Sequence, residues 1–324
     1  MRHSIALVTG TTSGLGYAAA SILATEGCRQ VIVTGRSSAR AQETAAQLAA
    51  ETKTQVFTPL ELDLNSPTSV QSALTELVKR GRPIDFLLLN AGMLGGRERV
   101  VTAEGIEAAQ APLIGHHRLT VGLLRANLLS PSARIVIAGS EAARGDVPMF
   151  SYTDVASLAA THQQGDRTGA VEALLRGGPS VKYRPNRAFA DAKLIVAWWA
   201  AALARRLPSG MAVYAVSPGA APDTQAVRNA GSATKWLLIP LTKLIPGMSH
   251  TPATAARRYL QASEFGTDVS GRFFASAPKK LTGPIEPMRH PHFHDRANQE
   301  AAWQAVVKVS GVDYSSAAPS SAVP

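Results

Sequence analysis

Six short apolar runs, at 5–8, 31–33, 56–62, 84–89, 135–138 and 212–216, recur along this chain of 324 residues, separated by longer stretches of helical character. Runs that are continuously apolar and rich in β-branched residues suit strands buried on both faces. Their alternation with helices restricts the fold to α/β: a Rossmann-type doubly wound parallel sheet, with ligands at the carboxyl ends of the strands. Helices are expected at 14–26, 37–51, 66–80, 102–129, 187–207 and 252–262. Ser37 before an alanine-rich run and Ser66-Pro67 are good helix openings, one a cap and one a proline at the first helical position. No linker interrupts the middle, so 1–314 reads as a single domain. Two stretches break the rhythm. Residues 141–185, glycine-rich and polar, read as an insertion after the fifth strand, and 220–250 as a lid whose centre, Trp236-Leu237-Leu238-Ile239-Pro240-Leu241, either folds over an apolar substrate or packs into the core. The serine, alanine and proline of 315–324 are expected to be a disordered tail.

Hydrophobic residues make up 45% of the chain and charged ones 17%, the balance of a soluble globular protein with a large core. The single cysteine, Cys28, excludes an internal disulfide and suits a reducing compartment. Met1-Arg2-His3 leads straight into the first apolar run without a signal peptide's apolar segment, and no run approaches the ~20 residues needed to span a bilayer. A cytoplasmic protein with no membrane span is expected. The net charge is +10, but the basic residues fall in scattered pairs, Arg205-Arg206, Arg257-Arg258 and Lys279-Lys280. That scatter argues against nucleic acid and for attraction of an anionic cofactor. His290, His292 and His294 alternate, but Pro287 and Pro291 make the segment irregular, and no carboxylate or cysteine cluster completes a site, so no metal is expected.

The first run ends in Thr9-Gly10-Thr11-Thr12-Ser13-Gly14-Leu15-Gly16. Gly10 permits a tight turn, and Gly14 and Gly16 let backbone N–H groups and a helix N-terminus approach a pyrophosphate. With Asn90-Ala91-Gly92 after the fourth strand, Ser140 after the fifth and Pro218-Gly219 after the sixth, this resembles the short-chain dehydrogenase/reductase family over roughly residues 4–274. Through Gly115-His116 and the helix after Lys193 it looks closest to the branch of retinol dehydrogenases and protochlorophyllide reductases. The resemblance implies a nucleotide cofactor held by Gly10, Thr12, Ser13, Gly14, Leu15 and Gly16, by Asn90, Ala91 and Gly92, by Lys193, and by Pro218 and Gly219. It also makes Asp63-Leu64 the adenine contact. After the second strand NAD-preferring relatives carry an acid; here Arg36, with Ser37 and Arg40 beside it, suits a 2′-phosphate, so the expected cofactor is NADP(H).

In the family a serine holds the substrate oxygen, a tyrosine transfers its proton, and a lysine lowers the tyrosine's pKa while binding the nicotinamide ribose. Ser140 and Lys193 fill two of these positions, and Phe189 stands where the tyrosine is expected. A ring without a hydroxyl cannot be a general acid, and such an acid is worth typically ~100- to 10,000-fold. The family's helix asparagine is replaced by Pro112, expected to keep that helix's kink while removing the amide. Tyr183 and Tyr152 in the insertion are candidate replacement acids, as are His116 and His117; Asp191 is expected to face solvent. The reading is an NADP(H)-dependent oxidoreductase acting on an apolar small molecule with altered proton transfer, such as reduction of a conjugated C=C bond. A non-redox cyclase, isomerase or dehydratase on the same fold stays open, as does a silent NADP-binding protein. Trp198-Trp199 on the Lys193 helix suits either a homodimer interface or a monomer's core.

Overall fold

The computed structural model describes residues 3–92, 95–221 and 249–314. Strands β1 (Ile5–Val8), β2 (Gln30–Gly35), β3 (Phe57–Glu61), β4 (Ile84–Leu89), β5 (Leu129–Ala138), β6 (Ala212–Val216) and β7 (Phe273–Ser276) run parallel. A short antiparallel β8 (Ile285–Pro287) closes one edge, and the order is β3-β2-β1-β4-β5-β6-β7-β8. Because successive side chains point to opposite faces, each strand feeds two cores. Leu7, Ile32, Leu87, Leu89, Ile135 and Ile137 fill one, and Ala6, Val8, Val31, Val33, Leu88 and Val136 fill the other. The strand order reverses between β1 and β4, which opens a crevice at their carboxyl ends.

Helices α1 (Gly14–Thr25), α2 (Ser38–Thr52) and α8 (Pro252–Ala262) pack together on one face. The other carries α3 (Pro67–Arg80), α4 (Ala111–Arg125), α5 (Val155–His162), α6 (Arg167–Arg176), α7 (Pro185–Ala204), a single turn α9 (Pro291–His294) and α10 (Arg296–Ser310). Two expectations are corrected. The helix expected over 102–129 begins only at Ala111, because Pro112 has no N–H to give and is accommodated in a first turn; 102–110 is a turn closed by a Val101–Glu107 bridge. Pro112 therefore starts α4 rather than kinking it. The 141–185 stretch is built structure: Asp154 accepts from Ala156 N–H at 2.9 Å to open α5, Asp166 accepts from Thr168 N–H at 2.8 Å to open α6, and α6 packs on α10. His292 and His294 lie in the single turn α9. The core of the proposed lid, 222–248, and the tail 315–324 lie outside the described residues, and of the lid's ends His250 N–H donates to Ala220 O at 2.6 Å.

The C-terminal α10 settles the place of the tryptophan pair. Trp198 and Trp199 are buried beneath it, and Arg206 lies over the ring of Trp303 at 4.5 Å. At the joint, His117 is held in one tautomer. The Val312 carbonyl, 2.7 Å away, can only accept, so Nε2 carries the proton; the Trp199 indole N–H, 3.0 Å from Nδ1, can only donate. Burial pushes the His117 pKa down to about 4. That lies below the unfolded value near 6.5, so the unfolded chain binds more protons between the two, and the stability this ring contributes is lost as pH falls from 6.5 toward 4. Urea unfolding at pH 7 and pH 5 should show His117→Gln losing about 2 kcal/mol less than the parent over that interval; equal losses would contradict the neutral, locked ring.

Candidate functional site

The carboxyl end of β1 turns through Gly10 at φ +70° and enters α1 at Ser13. This turn lies so close to β4 that a Cβ on Gly10 would come within 2.9 Å of the Ala91 Cα, and one on Gly16 within 2.2 Å of the Gly10 carbonyl. Polar groups tie it down. Thr9 Oγ1 accepts from the N–H groups of Asn90 at 2.9 Å and Ala91 at 3.0 Å, and Asn90 Nδ2 donates to Thr9 O at 3.0 Å. Thr11 Oγ1 joins β2 by donating to Thr34 O at 2.9 Å and accepting from Thr34 N–H at 2.8 Å. Ser13 makes no capping bond and the first turn of α1 carries no acid, so the turn's N–H groups and positive helix end suit a phosphate. Thr12 is exposed and Leu15 half-buried on the same turn.

Arg36 and Arg40 are exposed beyond β2, where Glu61 accepts from Ser38 N–H at 3.0 Å. Asp63 closes a local turn by accepting from Asn65 N–H at 3.0 Å, while Leu64 is buried against Gly115 of α4. Lys193 Nζ donates to Ala138 O at 2.8 Å, and a Cβ on Gly92 would lie 3.6 Å from it. Burial lowers the Lys193 pKa to about 8. The Phe189 ring sits 5.7 Å from the same nitrogen, close enough for a cation–π contact, and 6.0 Å from the ring of Phe150. Ser140 caps the turn Glu141–Arg144, accepting from Ala142 N–H at 3.2 Å, and this turn packs on α7. Behind Lys193 lies a cavity of about 20 Å³ lined by Pro112, His116, Leu113, Ala138 and Val196, room for one water.

The candidate replacement acids have partners of their own. Tyr183 donates to Gly96 O at 2.7 Å and lines a separate small cavity with Arg99, Glu107 and Asp191, so the structure does not bring it to Lys193. Tyr152 lies 3.1 Å from His292 Nδ1, and since His292 Nε2 faces the Ala143 carbonyl at 3.1 Å, Tyr152 is the donor. His116 meets Thr9 Oγ1 at 2.9 Å and is kept neutral, its pKa pushed to about 3 by burial and then by Lys193. Asp191, expected in solvent, is instead buried and accepts from Thr153 N–H at 2.6 Å and Thr153 Oγ1 at 2.9 Å; burial raises its pKa to about 6. The 141–185 stretch fills the side of α7 that solvent was expected to occupy. Among the described residues no group of three or more His, Cys, Asp or Glu side chains is gathered for a metal, and no helix is long and apolar enough to cross a membrane.

Pro218 and Gly219 follow β6, Gly219 at φ +80° against His250, whose Nε2 is buried without a partner among the described residues. Glu141 and Arg258 form a buried pair directly beneath them. Sequence reasoning passed over both: Arg258 reads as half of a solvated basic pair, and only its position on the buried face of α8 carries a signal. Arg205 and Arg206 meet Glu300, and Arg257 meets Glu26 at 2.6 Å.

The profile of the short chain dehydrogenase family matches residues 4–162. An oxidoreductase of Fusarium equiseti, fscI, is 31% identical over 221 residues, which is 66% of this chain and 85% of that protein. The chloroplastic protochlorophyllide reductase of Cucumis sativus is 33% identical over 205 residues, 60% of this chain, and the match spans about half of the reductase, 49%. A short chain dehydrogenase from Burkholderia cenocepacia, crystallised in complex with NADP, superposes with a TM-score of 0.56 at 22% identity, covering 83% of this chain and 94% of that one, a likeness of fold. The chain belongs to the short-chain dehydrogenase family of oxidoreductases.

Gly16→Ala would press a methyl group into the Gly10 carbonyl, a backbone atom that has no rotamer by which to escape. The expected cost is about 1–3 kcal/mol of unfolding free energy in urea, and an unchanged midpoint would show that the loop is looser than its contacts imply.

Proposed function

We propose that the chain is an NADP(H)-dependent oxidoreductase of an apolar small molecule in which Phe189 occupies the family tyrosine's place and proton transfer has left that position. The observation that supports this most is the placement of the Phe189 ring against Lys193 Nζ at 5.7 Å while the phenols of Tyr152 and Tyr183 are bonded to His292 and Gly96. The glycine turn and α1 N-terminus fit a pyrophosphate, Arg36 and Arg40 a 2′-phosphate, Asp63-Leu64 an adenine, and Asn90, Ala91, Gly92, Lys193, Pro218 and Gly219 the nicotinamide end. When bound there, NADPH supplies a hydride. In this chain Ser140 and Lys193 orient the substrate and the ribose, and the aromatic pair Phe150 and Phe189 offers an apolar wall. Reduction of a conjugated C=C bond suits such a site, because the carbon takes the hydride and the neighbouring carbon takes its proton from water without a positioned phenol. With α10 and α6 covering the outer face of α7, we read the chain as a monomer, which sedimentation velocity at micromolar protein would check by a single monomeric species.

The test is NADPH consumption against matched enones and ketones. The parent protein should consume NADPH with enones and be nearly inert to simple ketones, and Phe189→Tyr should raise ketone reduction by roughly 100- to 10,000-fold. Conversion of an apolar substrate without change in NADPH absorbance would overturn the reading in favour of a cyclase, isomerase or dehydratase.

A further inference from the structure

We propose that the buried Glu141–Arg258 pair is a positioning element that fixes the Ser140 turn and the Pro218-Gly219 turn relative to each other at the nicotinamide end of the site. This rests on the NADP(H) reading above and concerns only that half of the cofactor.

The carboxyl ends of β5, β6 and β7 converge on one carboxylate. Glu141 Oε1 accepts from Arg258 Nη1 at 3.3 Å, from Ser276 N–H at 3.3 Å and from Ser276 Oγ at 3.1 Å. Glu141 Oε2 accepts from Ser217 Oγ, and Ser217 Oγ in turn accepts from Gly219 N–H at 3.2 Å. Arg258 crosses beneath the same turns, donating from Nη1 to Ser217 O at 3.2 Å and from Nη2 to Ser276 Oγ at 2.8 Å and to Gly283 O at 2.5 Å. A Cβ on Gly219 would meet Arg258 Nη1 at 2.8 Å, so the turn lies directly on the guanidinium. Next along, Arg144 donates to Ser276 O at 2.6 Å and to Lys280 O at 2.8 Å, which locks the turn that Ser140 caps to the end of β7.

Both side chains of the pair are only 5% exposed. Charges buried to this degree lose their hydration, and well-packed apolar residues of similar volume are often as stable or more so, so stability alone is a weak reason for this arrangement. What the pair does supply is geometry. Apart from each other, the two groups bond to Ser217 just after β6, to Ser276 at the end of β7 and to Gly283 beyond it, all at the carboxyl end of the sheet. Groups that must meet a reacting carbon within tenths of an ångström need such rigid backing, since a misplacement of about 1 Å costs on the order of 100-fold in rate.

The experiment compares Glu141→Gln, which keeps shape and loses charge, with Ser217→Ala, which keeps the ion pair and cuts only its link to Gly219. Binding of NADPH and of 2′,5′-ADP, which carries the adenosine half alone, is measured by titration calorimetry, with kcat and KM on an enone. Both variants should lower kcat, Glu141→Gln by about 100-fold, and weaken NADPH roughly tenfold, with 2′,5′-ADP affinity kept within about twofold. Should Glu141→Gln fold poorly, Ser217→Ala carries the test. Equal loss of both ligands, or an unchanged kcat in Ser217→Ala, overturns the positioning role. A parent protein that binds neither ligand overturns the NADP(H) reading and the proposal with it, whereas a parent that binds both, with variants that do not discriminate between them, overturns the proposal alone.

Discussion

The site depends first on how closely the turn after β1 approaches the end of β4. Backbone contacts at that junction exclude a side chain at Gly10 and at Gly16, and the Thr9 hydroxyl collects two N–H groups from β4's continuation. Main-chain groups thereby satisfied leave the first turn of α1 uncommitted, and its N–H groups are the ones that can meet an anion. Sheet order, turn and pocket are therefore one constraint.

Lys193 inherits its character from the same geometry. Its Nζ donates to the neutral carbonyl of Ala138, and burial, with no acid opposing it, lowers the amine's pKa to about 8. Phe189 offers this cation the face of a ring, with no acidic proton to exchange. On the reading proposed above, electrostatic support for the amine persists while proton transfer has left position 189. The two halves of the site separate along the sheet: Arg36 and Arg40 are exposed beyond β2, and the charged pair beneath Gly219 is sealed behind β6 and β7.

Helices α5 and α6 and the C-terminal α10 enclose α7, so that Trp198, Trp199 and Trp303 become core and Asp191 is buried by the chain that precedes it. A buried carboxylate with a raised pKa and a buried imidazole locked in one tautomer are costs of enclosing a helix that in a barer fold would have a wet side.

Local chemistry was legible in the sequence wherever it is short-range. The apolar runs at 5–8, 84–89 and 212–216 coincide with β1, β4 and β6; the glycine turn and the caps Ser37 and Ser66 sit where their spacing puts them. Those features follow from side-chain period, missing Cβ atoms and hydroxyls two or three residues from an N–H, which involve few residues at a time. Signals of the same kind existed at Asp154 and Asp166 and mark α5 and α6, though the surrounding glycines masked them. Only the tertiary structure decided which of two identical-looking residues is solvated: Arg257 pairs with exposed Glu26, while Arg258, one position on, turns 100° around α8 and is buried against Glu141. It likewise decided that Pro112 opens a helix, that Asp191 faces Thr153, and that Tyr183 and Tyr152 lie away from Lys193. Each of these depends on a partner tens or hundreds of residues distant, and burial by a distant segment leaves no mark on the local sequence pattern.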